Sequence, residues 1–313
     1  MTSIKFFSSL LLLLLFSCEK SQSQQNQSEL PSATKDTVVQ SSEAVIIPRP
    51  PERRKEWRVD STEAFQWDSL ETGLDLAIAE APIHTNIGDN RLYILRIDPA
   101  YFDFEIISAK TEDNRPRTAA DWVEKHNLVA AINAGMYQTD HLTNVGFMKD
   151  HNKLNNGTFN KDNSIVAFHP DNDSLSPFTI LDRSCDDFDK TLPHYQSASQ
   201  GIRMLRCERN NVWSKQEKYW STVAIGIDSK GRALFLFART PYAVHDFIDM
   251  MLDLPIDLQR CMYLEGGPEA SFVLRQPKKK LTRMGSFETG FLEDDSNDQL
   301  WRIPNMIGIR RKK

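Results

Sequence analysis

The sequence predicts an α+β fold, a single domain with a mixed, largely antiparallel β-sheet core flanked by helices. Three observations predict it. Short apolar segments alternating with a period of two recur along most of the chain, as half-buried strands do. Helical signatures are few, and only two are well formed. No internal repeat appears, and the stretch from Glu56 to Lys313 is long enough to bury one substantial core.

Taken in order, the chain opens with Lys5 and an apolar run from Phe6 to Phe16, far shorter than the roughly 20 residues a membrane-spanning helix needs. It ends in Leu15-Phe16-Ser17-Cys18, the order of a large apolar residue, a small residue and a cysteine that lipoprotein signals require. Residues 1–17 are therefore expected to be a signal peptide, and Cys18 the lipid-bearing residue of an exported protein anchored in a bacterial cell envelope. Residues 18–55 are Ser-, Gln- and Pro-rich, with only Val45-Ile46-Ile47 as an apolar patch, and are expected to form a disordered tether. The folded domain is expected at 56–313.

Within that domain, Leu74 to Ile78 and Arg91 to Ile97 alternate as strands, and Phe102, Phe104 and Ile106 continue the pattern. Thr118, a hydroxyl residue with Asp121 three positions on, starts a helix through His126, which feeds a buried strand over Leu128 to Ile132. Strands follow at Ser164 to Phe168 and Phe178 to Leu181. Val223 to Ile227 and Ala233 to Phe237 flank Asp228-Ser229-Lys230-Gly231-Arg232 as a hairpin. Between Tyr242 and Leu254, Val244, Phe247, Ile248, Met251 and Leu252 repeat on one helical face, and Pro255 closes the helix. Strands at Cys261 to Leu264, Ser271 to Arg275 and Met306 to Ile309 complete the core.

Composition narrows the function. A net charge of −5 with no basic stripe argues against a nucleic-acid partner, and Lys278 to Lys280 and Arg310 to Lys313 read as solvated ends. After Cys18 only Cys185, Cys207 and Cys261 remain, which allows one bridge, Cys185 to Cys207, and leaves Cys261 as a small buried apolar residue. His84, His141, His151, His169, His194 and His245 are scattered without ligand spacing, so no metal site and no cofactor are expected. The oligomeric state stays open. His245 could reach a site from the helix N-terminus. The six tryptophans read as core or surface aromatics, with Trp213 and Trp220 in a polar segment where sugar stacking is conceivable.

Two apolar runs end in polar residues beside glycine, where a rigid scaffold can present reactive groups. One is Ala131-Ile132-Asn133-Ala134-Gly135-Met136-Tyr137. The other is Met262-Tyr263-Leu264-Glu265-Gly266-Gly267-Pro268-Glu269-Ala270-Ser271, in which two acids four apart flank paired glycines. Read alone, the second run is a plain turn with solvated acids at least as readily as a site, and Asn133 could simply satisfy backbone groups at a strand end.

At these residues the chain resembles the phosphodiester glycosidase family. Asn133 to Tyr137 matches the family's early Asn-Gly/Ala-Gly motif, and Leu264-Glu265-Gly266-Gly267 its late Leu-Asp-Gly-Gly motif. Val145-Gly146-Phe147 stands at an intervening turn, and Ser199-Gln200-Gly201-Ile202-Arg203-Met204-Leu205 matches a Gln-Ser/Ala-Gly-Pro-x-Leu segment. The resemblance covers about Leu74 to Ile309. It departs at Thr222, where the family has an arginine four residues before Gly226, at Glu265 for aspartate, and at Pro268, Glu269 and Ala270 for small residues.

What the resemblance implies is hydrolysis of a sugar from a sugar-1-phosphodiester, acting on a carbohydrate or glycan-phosphate substrate. Glu265, Asn133 and Glu269 are its candidate catalytic residues, without a division of labour between the two acids. Gln200, Arg203, Gly135, Gly266, Gly267 and Ser271 are the candidate substrate-binding residues, with Arg203 a substitute cation for the absent arginine. The departures leave a second reading, an inactive envelope-glycan binding protein of the same fold. A general acyl or metal hydrolase has neither GxSxG nor zinc spacing to support it.

Overall fold

The computed structural model describes residues 54–60 and 63–313. The expected signal peptide, Cys18 and the tether up to residue 53 lie outside the described residues. Arg54 and Lys55 lie against the body. Arg54 Nε donates to the Pro241 carbonyl at 3.0 Å, its guanidinium sits 3.8 Å from the centre of the Tyr219 ring, and the Lys55 amide donates to Asn86 Oδ1 at 2.6 Å.

The described chain is more β-rich than a balanced α+β protein, with eighteen strands against three short α-helices. The sheets are also not mixed, because every strand pair within them runs antiparallel. In the larger sheet the strands lie side by side as Phe178–Asp182, Ser164–Pro170, Tyr195–Arg203, Leu258–Gly266, Trp220–Asp228, Ala233–Tyr242, Arg91–Ile97, Leu74–Glu80 and Asp68–Glu71. The hairpin Met148–Asp150 with Lys153–Asn156 joins it at Tyr195–Arg203. The smaller sheet runs Lys279–Met284, Ser271–Gln276, Ala130–Asn133, Asn305–Arg311 and Phe102–Ser108. A short ribbon of Glu56–Arg58 and Ile83–Thr85 stands apart.

Alternation explains how these sheets stack. Leu74, Leu76, Tyr93, Leu95, Phe235 and Phe237 of the larger sheet share one buried cluster with Phe104, Ile132, Phe272 and Ile307 of the smaller, so the two pack face to face. The opposite residues of the larger sheet, among them Ile94, Ala224, Leu236 and Cys261, pack under the helix Val244–Asp253 through Val244, Phe247, Ile248 and Met251. On the far face of the smaller sheet, Ala131, Val273 and Met306 meet Trp122 and Val123 of the helix Ala119–Lys125. The result is four layers, helix, sheet, sheet and helix.

Local chemistry accounts for the boundaries. Thr118 Oγ1 accepts from the Asp121 amide at 3.2 Å and the Asp121 carboxylate accepts from the Thr118 amide at 3.3 Å, the reciprocal cap the sequence predicts. The second helix begins at Val244, not Tyr242, because Tyr242 finishes a strand and donates its hydroxyl to the Ile83 carbonyl at 2.8 Å. Its Leu252 is only half-buried while Met250 joins the core. Asp228 closes the hairpin by accepting from the Lys230 and Arg232 amides, both at 2.9 Å. Lys278 to Lys280 are not a free end: Lys279–Met284 is an edge strand that needs only Leu281 buried and carries lysines that block further pairing. Cys185 and Cys207 are joined. Cys261 is free and buried, and burial pushes its thiol up to about 12.

Candidate active site

The chain passes from one sheet to the other through Gly267–Glu269. Strand Leu258–Gly266 belongs to the larger sheet and Ser271–Gln276 to the smaller, and a single 3-10 turn connects them. Gly267 holds φ at +63, and a Cβ there would sit 2.5 Å from Glu288 Oε2 and 3.5 Å from Glu269 Oε2. Both carboxylates therefore converge on a backbone position that must lack a side chain. Gly266 is extended but equally crowded, since a Cβ would meet the Tyr263 hydroxyl at 2.1 Å and Trp220 Cδ1 at 2.6 Å.

Asn133 fastens this crossing. Its Nδ2 donates to the Glu269 carbonyl at 3.1 Å and its Oδ1 accepts from the Ser271 amide at 2.8 Å, while Ser271 Oγ donates to the same Glu269 carbonyl at 3.0 Å. The third acid arrives on the segment between Met284 and Asn305. Arg239 holds that segment by donating to the Met284 carbonyl at 3.1 Å, the Asn297 carbonyl at 2.9 Å and Asp295 Oδ1 at 2.9 Å. Ser221 Oγ accepts from the Ser286 amide at 2.9 Å, and Glu288 bridges Trp220.

Together these elements enclose a cleft of about 490 Å3 lined by Met136, Tyr137, His141, Ile202, Trp213, Trp220, Tyr263, Glu265, Gly266, Glu269 and Glu288. It is acidic and aromatic, with no lysine or arginine in its lining. Burial, then the neighbouring Glu269 charge, pushes the Glu265 carboxyl up to about 8, against the pull of the Gly266 amide, which donates to Glu265 Oε1 at 3.1 Å. Burial pushes Glu269 up to about 7, and raises Glu288 as well. The same burial, with Glu265 and Glu269 nearby, holds the Tyr137 and Tyr263 hydroxyls well above the usual phenol range. A carboxyl raised as far as Glu265 keeps its proton at neutral pH and can serve as an acid there. Trp220 packs edge-on against Tyr263, ring centroids 6.5 Å apart, and its indole N–H pulls the Tyr263 hydroxyl down against the rise that burial imposes.

Of the expected site residues, Glu265, Glu269 and Gly266 line the cleft, and Gly267 backs it. Asn133 does not line it; it is a positioning residue, both ends of its amide committed to the crossing turn. Ser271, fully buried, serves the same turn. Gly266 does not offer a free amide, because Glu265 occupies it. Gln200 is fully engaged elsewhere: Oε1 accepts from the Phe147 and Asn160 amides, both at 3.1 Å, and Nε2 donates to the Asn160 and Asp162 carbonyls at 3.2 and 2.7 Å. Gly135, at φ +149, lets Asn144 approach, since a Cβ would sit 2.7 Å from Asn144 Oδ1. His245 pairs with Asp246 and Asp249 on its own helix, away from the cleft lining.

Arg203 is not in the cleft either. Its Nη1 donates to both Asp182 oxygens at 2.9 Å, and it lines a second, adjoining cleft with Lys161, Arg206 and Gln216. Ile202 and Trp213 line both clefts, so a basic cleft abuts the acidic one. Thr222 is buried opposite Gly266, its Oγ1 3.4 Å from the Trp220 carbonyl, and brings no charge.

Sequence reasoning missed Glu288, Tyr137, Tyr263 and His141 as cleft residues. Tyr137 and Tyr263 stood inside the two motif runs, a usable signal; Glu288 lay in a segment of mixed polarity with none. The histidines are also less scattered than their spacing suggests, because Asp150, His151 and His169 bring ligand atoms within 4.8 Å of one another.

The architecture has known counterparts. It aligns with a hypothetical protein from Synechocystis at a TM-score of 0.52 and 12% identity, covering 80% of this chain and 64% of that one. It also aligns with the catalytic domain of zebrafish N-acetylglucosamine-1-phosphodiester alpha-N-acetylglucosaminidase, auto-inhibited by its pro-peptide, at a TM-score of 0.51 and 12% identity, covering 83% and 89%. The chain thus spans about two thirds of the Synechocystis structure's length, and at such identity both likenesses speak for the fold alone. No curated protein matches the sequence. Residues 126–310 match the family described as phosphodiester glycosidase, a span holding every acid of the cleft and more than half of the sequence, and the chain belongs to that family.

Proposed function

We propose that the protein hydrolyses a glycosyl phosphodiester at the anomeric carbon, releasing free sugar and a phosphate monoester. The observation that carries this reading is the convergence of Glu265 and Glu269 at a sheet-to-sheet crossing, in a cleft walled by Trp213, Trp220, Tyr137 and Tyr263. Aromatic faces suit a sugar ring. A carboxylate beside the anomeric carbon stabilises the oxocarbenium character of the transition state or activates water. Glu269, the less buried of the pair, ionises first and takes that role. Glu265 retains its proton and donates a hydrogen bond to the departing oxygen. A phosphate monoester with a second pKa of about 6 leaves with little protonation, so one buried acid is sufficient.

Phosphate handling follows from the same geometry. A protonated Glu265 does not repel an anion as a carboxylate would, and Lys161, Arg203 and Arg206 lie in the cleft that shares Ile202 and Trp213 with the acidic one. The reading therefore places the sugar among the glutamates and the phosphate and aglycone toward the basic side. Thr222, buried and uncharged where the family carries arginine, favours a second reading in which the cleft binds glycans without turnover. Incubating the protein with sugar-1-phosphodiesters and watching for free sugar separates the two: release supports hydrolysis, and saturable binding without release supports the receptor.

We also propose that Cys18 carries lipid and holds the protein at the envelope, on the Leu15-Phe16-Ser17-Cys18 order. Palmitate labelling should be lost in Cys18→Ser, and unchanged labelling would refute the anchor.

A further inference from the structure

Asp150 and His151 are separated from His169 by a hairpin and a strand, so no spacing in the sequence relates them. The fold does. Asp150 ends strand Met148–Asp150, His151 opens the turn into Lys153–Asn156, and His169 lies near the end of Ser164–Pro170. One ligand atom from each lies within 4.8 Å of the other two, and the two imidazole centroids are 4.6 Å apart. Both histidines hold left-handed backbone, φ +52 and +57. For His151 this is the conformation that the tight turn between the two hairpin strands favours.

A second observation fixes the chemistry of His169. Ser197 Oγ donates its one proton to Asp150 Oδ1 at 2.7 Å, so it can only accept from His169 Nδ1, 3.0 Å away. Nδ1 is then the protonated nitrogen and Nε2 carries a free lone pair, the tautomer a metal-bound imidazole needs and the kind of outer hydrogen bond that holds such ligands. Asp150 Oδ2 stays available, 3.4 Å from His151 Nδ1. That separation is already close to the edge of a tetrahedron whose metal bonds are about 2.0–2.1 Å.

We infer that Asp150, His151 and His169 bind one divalent transition-metal ion, with zinc the best match to two imidazoles and a carboxylate, and water completing the coordination. Calcium and magnesium, which take oxygen ligands, are excluded by the same set. The ion would clamp the 148–156 hairpin to the larger sheet. That hairpin underpins one wall of the acidic cleft: Asn155 Oδ1 accepts from the Asn144 amide at 2.7 Å, Asn156 Nδ2 donates to the Asn144 carbonyl at 2.9 Å, and Asn144 packs on Gly135. Met136, Tyr137 and His141 are presented by the loop so supported.

Titration calorimetry of the untagged full chain with zinc chloride, paired with hydrogen exchange, tests this. The parent should take up one ion per chain, and zinc should slow exchange over 148–156 and 134–147. His169→Gln and His151→Ala should each weaken binding at least tenfold. His151, with 47% of its side chain exposed, can be changed without threatening the fold if His169→Gln misfolds. No uptake by the parent, or undiminished affinity in His151→Ala, which would move the ion to the cleft glutamates, overturns the site. Binding without slower exchange over 134–147 overturns its coupling to the cleft.

Discussion

Two carboxyls four residues apart differ here because burial, with the neighbouring Glu269 charge, raises Glu265 further than burial raises Glu269. Glu265→Leu removes the hydrogen-bond donor that would face the departing oxygen, and Glu269→Gln removes the charge that would face the anomeric carbon. Each should lower kcat by roughly 10² to 10³ with little change in KM, as measured for single electrostatic contributors elsewhere. Steady-state kinetics on the best sugar phosphodiester check this; a Glu269→Gln enzyme at parental kcat removes Glu269 from the reaction. Glu265 and Glu269 were readable from the sequence because glycines flank them and acids beside Gly-Gly invite attention. Asn133 and Gln200 stood out equally, yet both spend their amides on backbone groups. A side chain able to hydrogen-bond looks the same in a sequence whether it holds a turn or a substrate.

Most of the strands and both longer helices are where alternation and periodicity put them, since a half-buried strand or helix must display its apolar face. Tyr195–Arg203 was hidden by its Ser, Gln and Gly content: flanked by strands on both sides, it is buried without needing large apolar residues. The segment that delivers Glu288 was hidden for a different reason, as it is held by Arg239 and Ser221 hydrogen bonds and by isolated apolar anchors such as Phe287 and Ile303, with no regular period between them. Arg239→Gln should therefore free this segment, cutting kcat/KM on a sugar phosphodiester at least tenfold while the two-sheet core stays folded; unaltered kinetics would contradict that role. Asn133→Ala strands the buried Ser271 amide and leaves the Glu269 carbonyl only the Ser271 hydroxyl, and should cost about 1–3 kcal/mol in denaturant unfolding. A change below the error of that measurement would show that the crossing turn does not depend on it.

Four layers with a chain crossing between the two sheets place partly buried acids in one cleft, and the protein should bear the consequence in its pH dependence. The folded-state values of Glu265 and Glu269, about 8 and about 7, lie above the ordinary 4.5. Between 4.5 and those values the native state binds more protons than the unfolded state, so stability should be full below the lower limit and fall as pH rises through the window. Melting temperatures across pH 5 to 9 should show that decline, and Glu265→Gln should flatten it; a parent no less stable at pH 9 than at pH 5 would contradict the buried-acid assignment. Activity on a sugar phosphodiester should follow a bell whose limbs belong to the Glu265–Glu269 pair. Most direct of all is the fate of solvent oxygen. Hydrolysis in H2 18O should place the label on the anomeric carbon of the released sugar and leave the phosphate monoester unlabelled, because the cleft glutamates act at carbon. Label in the phosphate would mean attack at phosphorus and would contradict a glycosidase mechanism.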